Sequence, residues 1–277
     1  MHSEPTKADV RDFWDKASCG EELYLHDTGR EGYVEQARAR YALEPYIVDF
    51  AKFAATRDRK VLEIGVGLGA DHQQFAEAGA QLTGIDLTPR AIEHVQRRLA
   101  LFGLRSQLQT GDAEKLSFAD DTFDVVYSWG VIHHSPDTLR AVSEIHRVLR
   151  PGGTARIMIY HKYSLVGYML WVRYALLRFR PWMSLAQIYS RYLESPGTKA
   201  YTREEARRLF AAFERVSTDV VLTHGDLLES AAGQRHGGVL LAIARWLWPR
   251  ALLRRLAPRQ GLFLLITAVK SSSPRGV

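Results

Sequence analysis

Lys60-Val-Leu-Glu-Ile-Gly-Val-Gly-Leu-Gly-Ala70 is the stretch that decides the fold. A short apolar run reads as a buried strand, and it feeds directly into glycines at 65, 67 and 69. Glycines at alternating positions let the backbone turn tightly and let a ligand approach the main chain. A helical pattern resumes over 71–78. Outward from this unit the same rhythm repeats. Strands are expected at 80–86, 106–110, 124–128 and 153–160, with helices at 88–102 and 137–149 between them. Thr88 reads as an N-cap with Pro89 at the first helical position, and Arg150-Pro-Gly-Gly153 as a helix stop. Five strands alternating with helices imply right-handed crossovers and a parallel sheet.

On either side the pattern changes. Residues 8–18 and 32–55 read as helices, as do one or two stretches within 164–194. Thr202-Arg-Glu-Glu205 is a capping box opening a helix, 216–222 and 262–269 read as strands, and 227–256 as largely helical. The expected fold is α/β, a doubly wound, mostly parallel seven-stranded sheet of Rossmann-like type with helical lid insertions. The expected organisation is an N-terminal helical cap (1–57), a core (58–160), a helical lid insertion (161–201), a return helix and strand (202–222), a second helical insertion (223–260), and a last strand with a tail (261–277).

Composition narrows the function. The 277 residues are 46% hydrophobic and 25% charged, which excludes disordered, collagen-like and disulfide-scaffold chains. The single cysteine, Cys19, excludes an intrachain disulfide and a multi-cysteine zinc site. The first nine residues carry no apolar stretch of a signal peptide, so a cytoplasmic location is expected. The longest apolar runs, 164–172 and 261–269, fall short of the ~18–20 residues that span a bilayer. Charge is uneven. Residues 1–150 hold 18 basic and 24 acidic side chains, whereas 151–277 hold 19 basic and 7 acidic. That asymmetry points either to an anionic partner or to arginines solvating helix faces.

Alone, the glycine loop also satisfies the dinucleotide pattern G-x-G-x-x-[G/A], through Gly65, Gly67 and Ala70. The next strand ends discriminate. Asp86 closes the second strand, where a carboxylate can accept from both hydroxyls of a ribose. Gly111-Asp112-Ala113 follows the third strand, where a second carboxylate can meet an adenine amine. Asp112 is no part of the dinucleotide fingerprint.

Together with Gly84-Ile-Asp-Leu-Thr88, Gly111–Val126, Val131-Ile-His-His-Ser-Pro-Asp137 and Arg147-Val-Leu-Arg-Pro-Gly-Gly153, the loop resembles the class I S-adenosylmethionine-dependent methyltransferases, specifically the type 11 small-molecule group. The resemblance spans about residues 58–160. It implies S-adenosyl-L-methionine as cofactor and a small-molecule acceptor, with no nucleic acid expected. Gly65, Gly67 and Gly69 would form the cofactor loop, with Glu63 orienting it. Asp86 would hold the ribose and Leu87 flank the adenine, while Asp112 and Ala113 read the adenine edge. Ser128 and Trp129 would line the floor near the sulfonium.

Catalytic candidates are His133 and His134 after the fourth strand, and Tyr160 and His161 at the end of the fifth. These positions lie at the carboxyl edge of the sheet, although paired histidines also serve as caps or packing groups. No carboxylate–histidine spacing supports a metal, so none is expected. Trp14 and Tyr24 are expected to close over the cofactor. The loops Ser195–Tyr201 and His224-Gly-Asp226 either contribute polar contacts to a pocket or are simple turns. The aromatic, basic stretches 163–182 and 239–256 admit three readings: a lid, a homodimer face, or a peripheral membrane contact. Two rival functions are a nicotinamide-dependent oxidoreductase, resting on the glycine pattern, and an RNA methylase or nucleic-acid binder, resting on the basic C-terminal part.

Overall fold

The structure is a computed structural model that describes residues 5–229 and 248–272. Its centre is a seven-stranded sheet in the order β3-β2-β1-β4-β5-β7-β6. The strands are β1 (Lys60–Ile64), β2 (Gln81–Asp86), β3 (Gln107–Thr110), β4 (Phe123–Trp129), β5 (Leu149–Tyr160), β6 (Arg215–Val221) and β7 (Phe263–Val269). β1 to β5 pair in parallel, and β7 runs antiparallel to both β5 and β6. The mostly parallel, doubly wound sheet is therefore as the alternation of elements implies.

β1 has β2 on one side and β4 on the other, so the chain reverses its winding there. The carboxyl ends of strands flanking such a switch point diverge and leave a crevice. Everything described below as the site hangs from that edge. The central strands are apolar on both faces because helices cover both. Leu62, Val126, Ile157 and Ile266 belong to a cluster that includes Ile145 of α7 (Thr138–Val148) and Ala206 of α10 (Arg203–Leu209). Val61, Val125 and Tyr127 face the other way, toward Phe75 of α5 (Ala70–Glu77) and Ile47 of α4 (Tyr46–Ala51).

Local chemistry sets the helix ends. Thr88 caps α6 (Pro89–Phe102), with proline at its first position and Gly103 in the left-handed conformation after it. The Thr202/Glu205 capping box opens α10 as its spacing implies. Two helices differ from the sequence reading. The first, α1, stops at Trp14 (Lys7–Trp14), and a separate short helix, α2, occupies Glu21–Tyr24. The expected helix over 32–55 is two: α3 (Arg30–Leu43) ends before Pro45, and α4 starts anew at Tyr46. Proline cannot donate to the preceding turn and its ring clashes with it, so the break follows from Pro45.

Within 164–194 the chain forms α8 (Leu165–Tyr174), a 3₁₀ turn at Leu176–Arg178 and α9 (Leu185–Tyr192). Of the expected helical stretch 227–256, residues 230–247 lie outside the described residues, and Arg250–Leu256 is helical. No helix among the described residues is long and apolar enough to cross a membrane.

Candidate cofactor and acceptor site

A cavity of about 410 Å³ opens along the carboxyl edge of β1, β2, β4 and β5. One end is the glycine loop. Gly65 has φ +81°, and a Cβ there would sit 2.1 Å from Val131 Cγ2, so only glycine fits. Gly67 has φ +50° and nothing within 4 Å of a built Cβ, which leaves its backbone open to the cavity. Gly69 also lines the cavity and precedes the first turn of α5.

Glu63 is bonded to a partner not evident in the sequence. Its Oε2 lies 2.8 Å from His72 Nδ1, and His72 Nε2 lies 2.7 Å from Ser106 Oγ. Burial pushes the Glu63 carboxyl well up, and burial holds His72 down at about 3. Both shifts favour the uncharged forms. Because β1 and α5 flank the loop, this bond fixes it from both sides.

Asp86 projects from the end of β2. Oδ1 accepts from the Thr88 N–H (3.0 Å) and hydroxyl (2.9 Å), and Oδ2 accepts from Gly67 N–H at 3.3 Å. Burial raises its pKa against these bonds. The carboxylate thus stands beside the loop with acceptor capacity left for vicinal hydroxyls. Leu87, Asp112 and Ala113 line the same end. Asp112 Oδ1 accepts from Glu114 N–H at 2.9 Å. Its Oδ2 receives Lys7 Nζ at 2.5 Å, and Lys7 also reaches Glu114 Oε2 at 2.6 Å. Lys7 therefore clips α1 onto the β3 end. Trp14 and Tyr24 line the cavity from the same N-terminal region, and Trp14 meets the His134 ring edge-on at 5.3 Å.

Beneath the loop lies a buried charge network outside the motifs. Arg40 of α3 makes two bonds to Asp71 of α5, 3.0 and 2.7 Å. Tyr41 and Tyr127 donate to the same carboxylate at 3.0 and 2.7 Å. Burial pushes Asp71 up, but Arg40 and these donors overcome it and hold the carboxyl below its usual range. Glu44 completes the group 3.3 Å from Arg40; burial, opposed by Arg40, lifts its carboxyl to about 7. Arg40, Glu44 and Asp71 all line the cavity.

The other end is aromatic. Trp129, Met158, Tyr160, Val166, Leu193, Leu262 and Phe263 line it. Its polar centre is Glu194, in the chain just after α9. Tyr160 Oη donates to Glu194 Oε2 at 2.7 Å, and His134 Nε2 lies 3.4 Å from the same oxygen. His134 Nδ1 lies 2.8 Å from Ser195 Oγ and 3.0 Å from Thr198 Oγ1. The loop Ser195–Tyr201 is thus a holder for His134. Burial, then Glu194, raises Tyr160 well above the usual phenol range, so it stays a donor.

Three residues expected at the site are not brought to the cavity. Ser128 is fully buried, on the face of β4 opposite Trp129, because successive strand side chains alternate. His133 is fully buried behind His134 and Tyr160, with ring centroids 4.2 and 4.1 Å away. Neither of its nitrogens has a hydrogen-bond partner among the described residues, and burial lowers its pKa well below the usual value. His161 turns to the β5–β7 seam, where Nδ1 meets the Gly261 carbonyl at 3.2 Å. A His133–His134–Glu194 group has ligand atoms within 4.8 Å of one another, a candidate for a metal that adjacent-residue spacing alone cannot reveal. The Glu194 carboxylate of that group also accepts from Tyr160 Oη at 2.7 Å.

These features fit an adenosyl sulfonium. A glycine backbone faces the cavity, two carboxylates stand at adjoining strand ends, and Glu44 and Asp71 lie near the loop. Fold and site together resemble the core of the class I S-adenosylmethionine-dependent methyltransferases. Residues 62–157 match the family model described as a methyltransferase domain.

An uncharacterized protein of Mycobacterium bovis is 38% identical over 40% of this chain and 40% of its own. The phthiotriol/phenolphthiotriol dimycocerosates methyltransferase of Mycobacterium leprae is 41% identical over 34% of this chain and 35% of its own. The chain thus matches well under half the length of these relatives. A solved structure of Haemonchus contortus phosphoethanolamine N-methyltransferase 2, in complex with phosphomonomethylethanolamine and S-adenosylhomocysteine, shares the fold. Its TM-score is 0.59 at 20% identity, over 95% of this chain and 60% of that one.

Proposed function

We propose that the protein is an S-adenosylmethionine-dependent methyltransferase acting on a small or lipid-like apolar acceptor. The observation that carries this reading is one continuous cavity with unlike ends: glycine loop and paired aspartates at one, an aromatic chamber around Tyr160, Glu194 and His134 at the other. Bound S-adenosylmethionine supplies a methyl group on a positive sulfur, open to in-line displacement. The protein's task is then placement, for which well-oriented reactants gain roughly 7–11 kcal/mol.

On this reading Gly65, Gly67 and Gly69 shape the loop, Asp86 holds the ribose, and Asp112 and Ala113 take the adenine edge. Trp129 faces both halves of the cavity. In the acceptor chamber Glu194 takes the acceptor's proton at Oε2. Tyr160 orients that carboxylate by its hydroxyl. His134 lies beside it, its Nδ1 within hydrogen-bond distance of the Ser195 and Thr198 hydroxyls. An acid–base group of this kind contributes ~10²–10⁴-fold when the acceptor must lose a proton. The apolar lining favours an acceptor with a hydrophobic body, and the dimycocerosate enzyme of Mycobacterium leprae, a relative over part of the chain, supports a lipid-like one.

The test is a labelled-methyl transfer screen across apolar phenols, quinols, thiols and amines, with a hydrophilic amine such as phosphoethanolamine as the contrast. Transfer to apolar acceptors is expected. Transfer confined to hydrophilic amines contradicts the acceptor assignment, and fluorescence enhancement of reduced nicotinamide without methyl transfer returns the oxidoreductase reading.

A further inference from the structure

The hairpin of α8 and α9 has a well-made inside and an unusual outside. Inside, Leu170, Ala175, Met183 and Ile188 are buried as a cluster of their own. Trp171 Nε1 donates to the Met183 carbonyl at 2.8 Å, and Arg180 N–H to the Ala175 carbonyl at 2.8 Å, so the tip between the helices is pinned. Outside, Phe179 is 86% and Trp182 77% exposed, with Leu177 at 60% and Leu176 at 46%. Phe179 also sits at φ +56°, a conformation uncommon for a side chain of its size. An aromatic pair held outward on a pinned loop is not leftover core, because the hairpin's own core is already filled.

Charge identifies the partner. Residues 161–193 contain five basic side chains (Lys162, Arg173, Arg178, Arg180, Arg191) and no acidic one. The helix Arg250–Leu256 adds exposed Leu252 and Leu256 beside Arg255, while its Arg254 pairs with Glu229 and its Arg250 donates to the Leu227 carbonyl. The two elements are rooted together: Leu165 N–H, at the start of α8, donates to the Gln260 carbonyl at 2.8 Å. Exposed tryptophan, phenylalanine and leucine ringed by arginine suit the boundary of an anionic bilayer, where rings sit at headgroup depth and guanidinium groups meet phosphate. A self-complementary face between copies of this chain would instead set these arginines against each other with no acidic residue in the segment to pair them.

The hairpin's other side completes the argument. Val166 on α8 and Leu193 next to α9 line the acceptor chamber. We propose that the α8–α9 tip docks this protein on an anionic membrane surface, so that an apolar acceptor passes from the bilayer along the hairpin to the chamber. The passage of acceptor rests on the methyltransferase reading; the docking does not.

The test is co-sedimentation of the full chain with vesicles of phosphatidylcholine alone or mixed with phosphatidylglycerol, at low and high salt. Wild type is expected to pellet with the anionic vesicles, less with neutral ones, and less at high salt. Phe179→Ser/Trp182→Ser is expected to lower association by about tenfold or more, and Arg178→Ala/Arg180→Ala by less, with loss of the salt dependence. Calorimetric titration of S-adenosylhomocysteine into the aromatic double variant should match wild type, which shows that it is folded and keeps docking separate from cofactor binding. Wild type that ignores anionic vesicles, or a double variant that binds them equally, overturns the proposal. So does a concentration-dependent dimer in light scattering that the double variant abolishes, since it assigns the tip to a second copy. Vesicle binding without S-adenosylhomocysteine binding supports docking and removes the methyltransferase reading.

Discussion

The two ends of the cavity are built by different means. At the glycine loop most polar ties span at most 19 residues, Asp86 to Thr88 and Gly67, Glu63 to His72, Asp112 to Glu114, with only Ser106 on His72 and Lys7 on Asp112 reaching in from further along the chain. In the acceptor chamber the partners come from far away. Tyr160 meets Glu194 across 34 residues, and His134 meets Ser195 and Thr198 across 61 and 64. A local site can be carried intact on a strand–turn–helix unit. A chamber assembled from a separate helical layer can change its lining while the sheet stays the same. That division is why the motif-bearing half carries the cofactor reading and the acceptor is left to be tested.

The sharpest way to break the contrast is at Glu194. Glu194→Gln keeps the shape but removes the proton acceptor. It is expected to lower kcat by ~10²–10⁴-fold while S-adenosylhomocysteine affinity stays within about twofold. Equal loss of affinity would mean that the two ends are not separable. Next is Arg40→Ala, which strands the buried Asp71 carboxylate. Breaking a buried ion pair costs roughly 3–5 kcal/mol, and urea unfolding should show a loss of that size. A loss under about 1 kcal/mol would show that Arg40 is a surface group and that the network does not brace the loop.

Smaller is Lys7→Ala. Lys7 and Asp112 are each about one-third exposed, at 36% and 32%, so the clip contributes no more than about 1 kcal/mol. The expected result is a modest loss of cofactor affinity with faster cofactor release in stopped flow. Unchanged release would show that α1 does not gate the adenine end.

The smallest effect is in pH. Burial raises the Glu44 carboxyl to about 7, above its value in the unfolded chain. The folded state then holds a proton that the unfolded state releases, so this contribution to stability is complete below pH ~4.5 and is lost as pH rises through about 7. Urea midpoints at pH 5 and pH 8 should therefore fall more for wild type than for Glu44→Gln. Parallel slopes would remove the assignment.

What was legible in the sequence follows the same line. Gly65, Gly67, Asp86 and Asp112 announce themselves because a tight loop and two strand ends need specific residue types at short spacing. Arg40 and Glu44, near and just past the end of α3, belong to no motif; they are at the cavity because α3 packs across α5. Glu194 sits in a stretch with no motif, and only the return of the chain past β5 gives it Tyr160 and His134. The misplacement of Ser128 has a physical cause as well. β4 is buried on both faces, so Val125 and Val126 are both apolar and the alternation that would separate Ser128 from Trp129 leaves no trace. His161 could not be separated from Tyr160 before β7 was placed, because the Gly261 carbonyl is what draws it to the seam.

The central claim is that the glycine loop and Asp86 hold an adenosyl cofactor at the switch point of the sheet. Calorimetric titration of S-adenosylhomocysteine into wild type and Asp86→Ala, with thermal unfolding of both as the check on folding, tests it most directly. One-to-one binding to wild type and a loss of at least about a hundredfold in a variant that still unfolds cooperatively is the predicted result. Equal affinity for the two proteins, or no binding to a folded wild type, contradicts it.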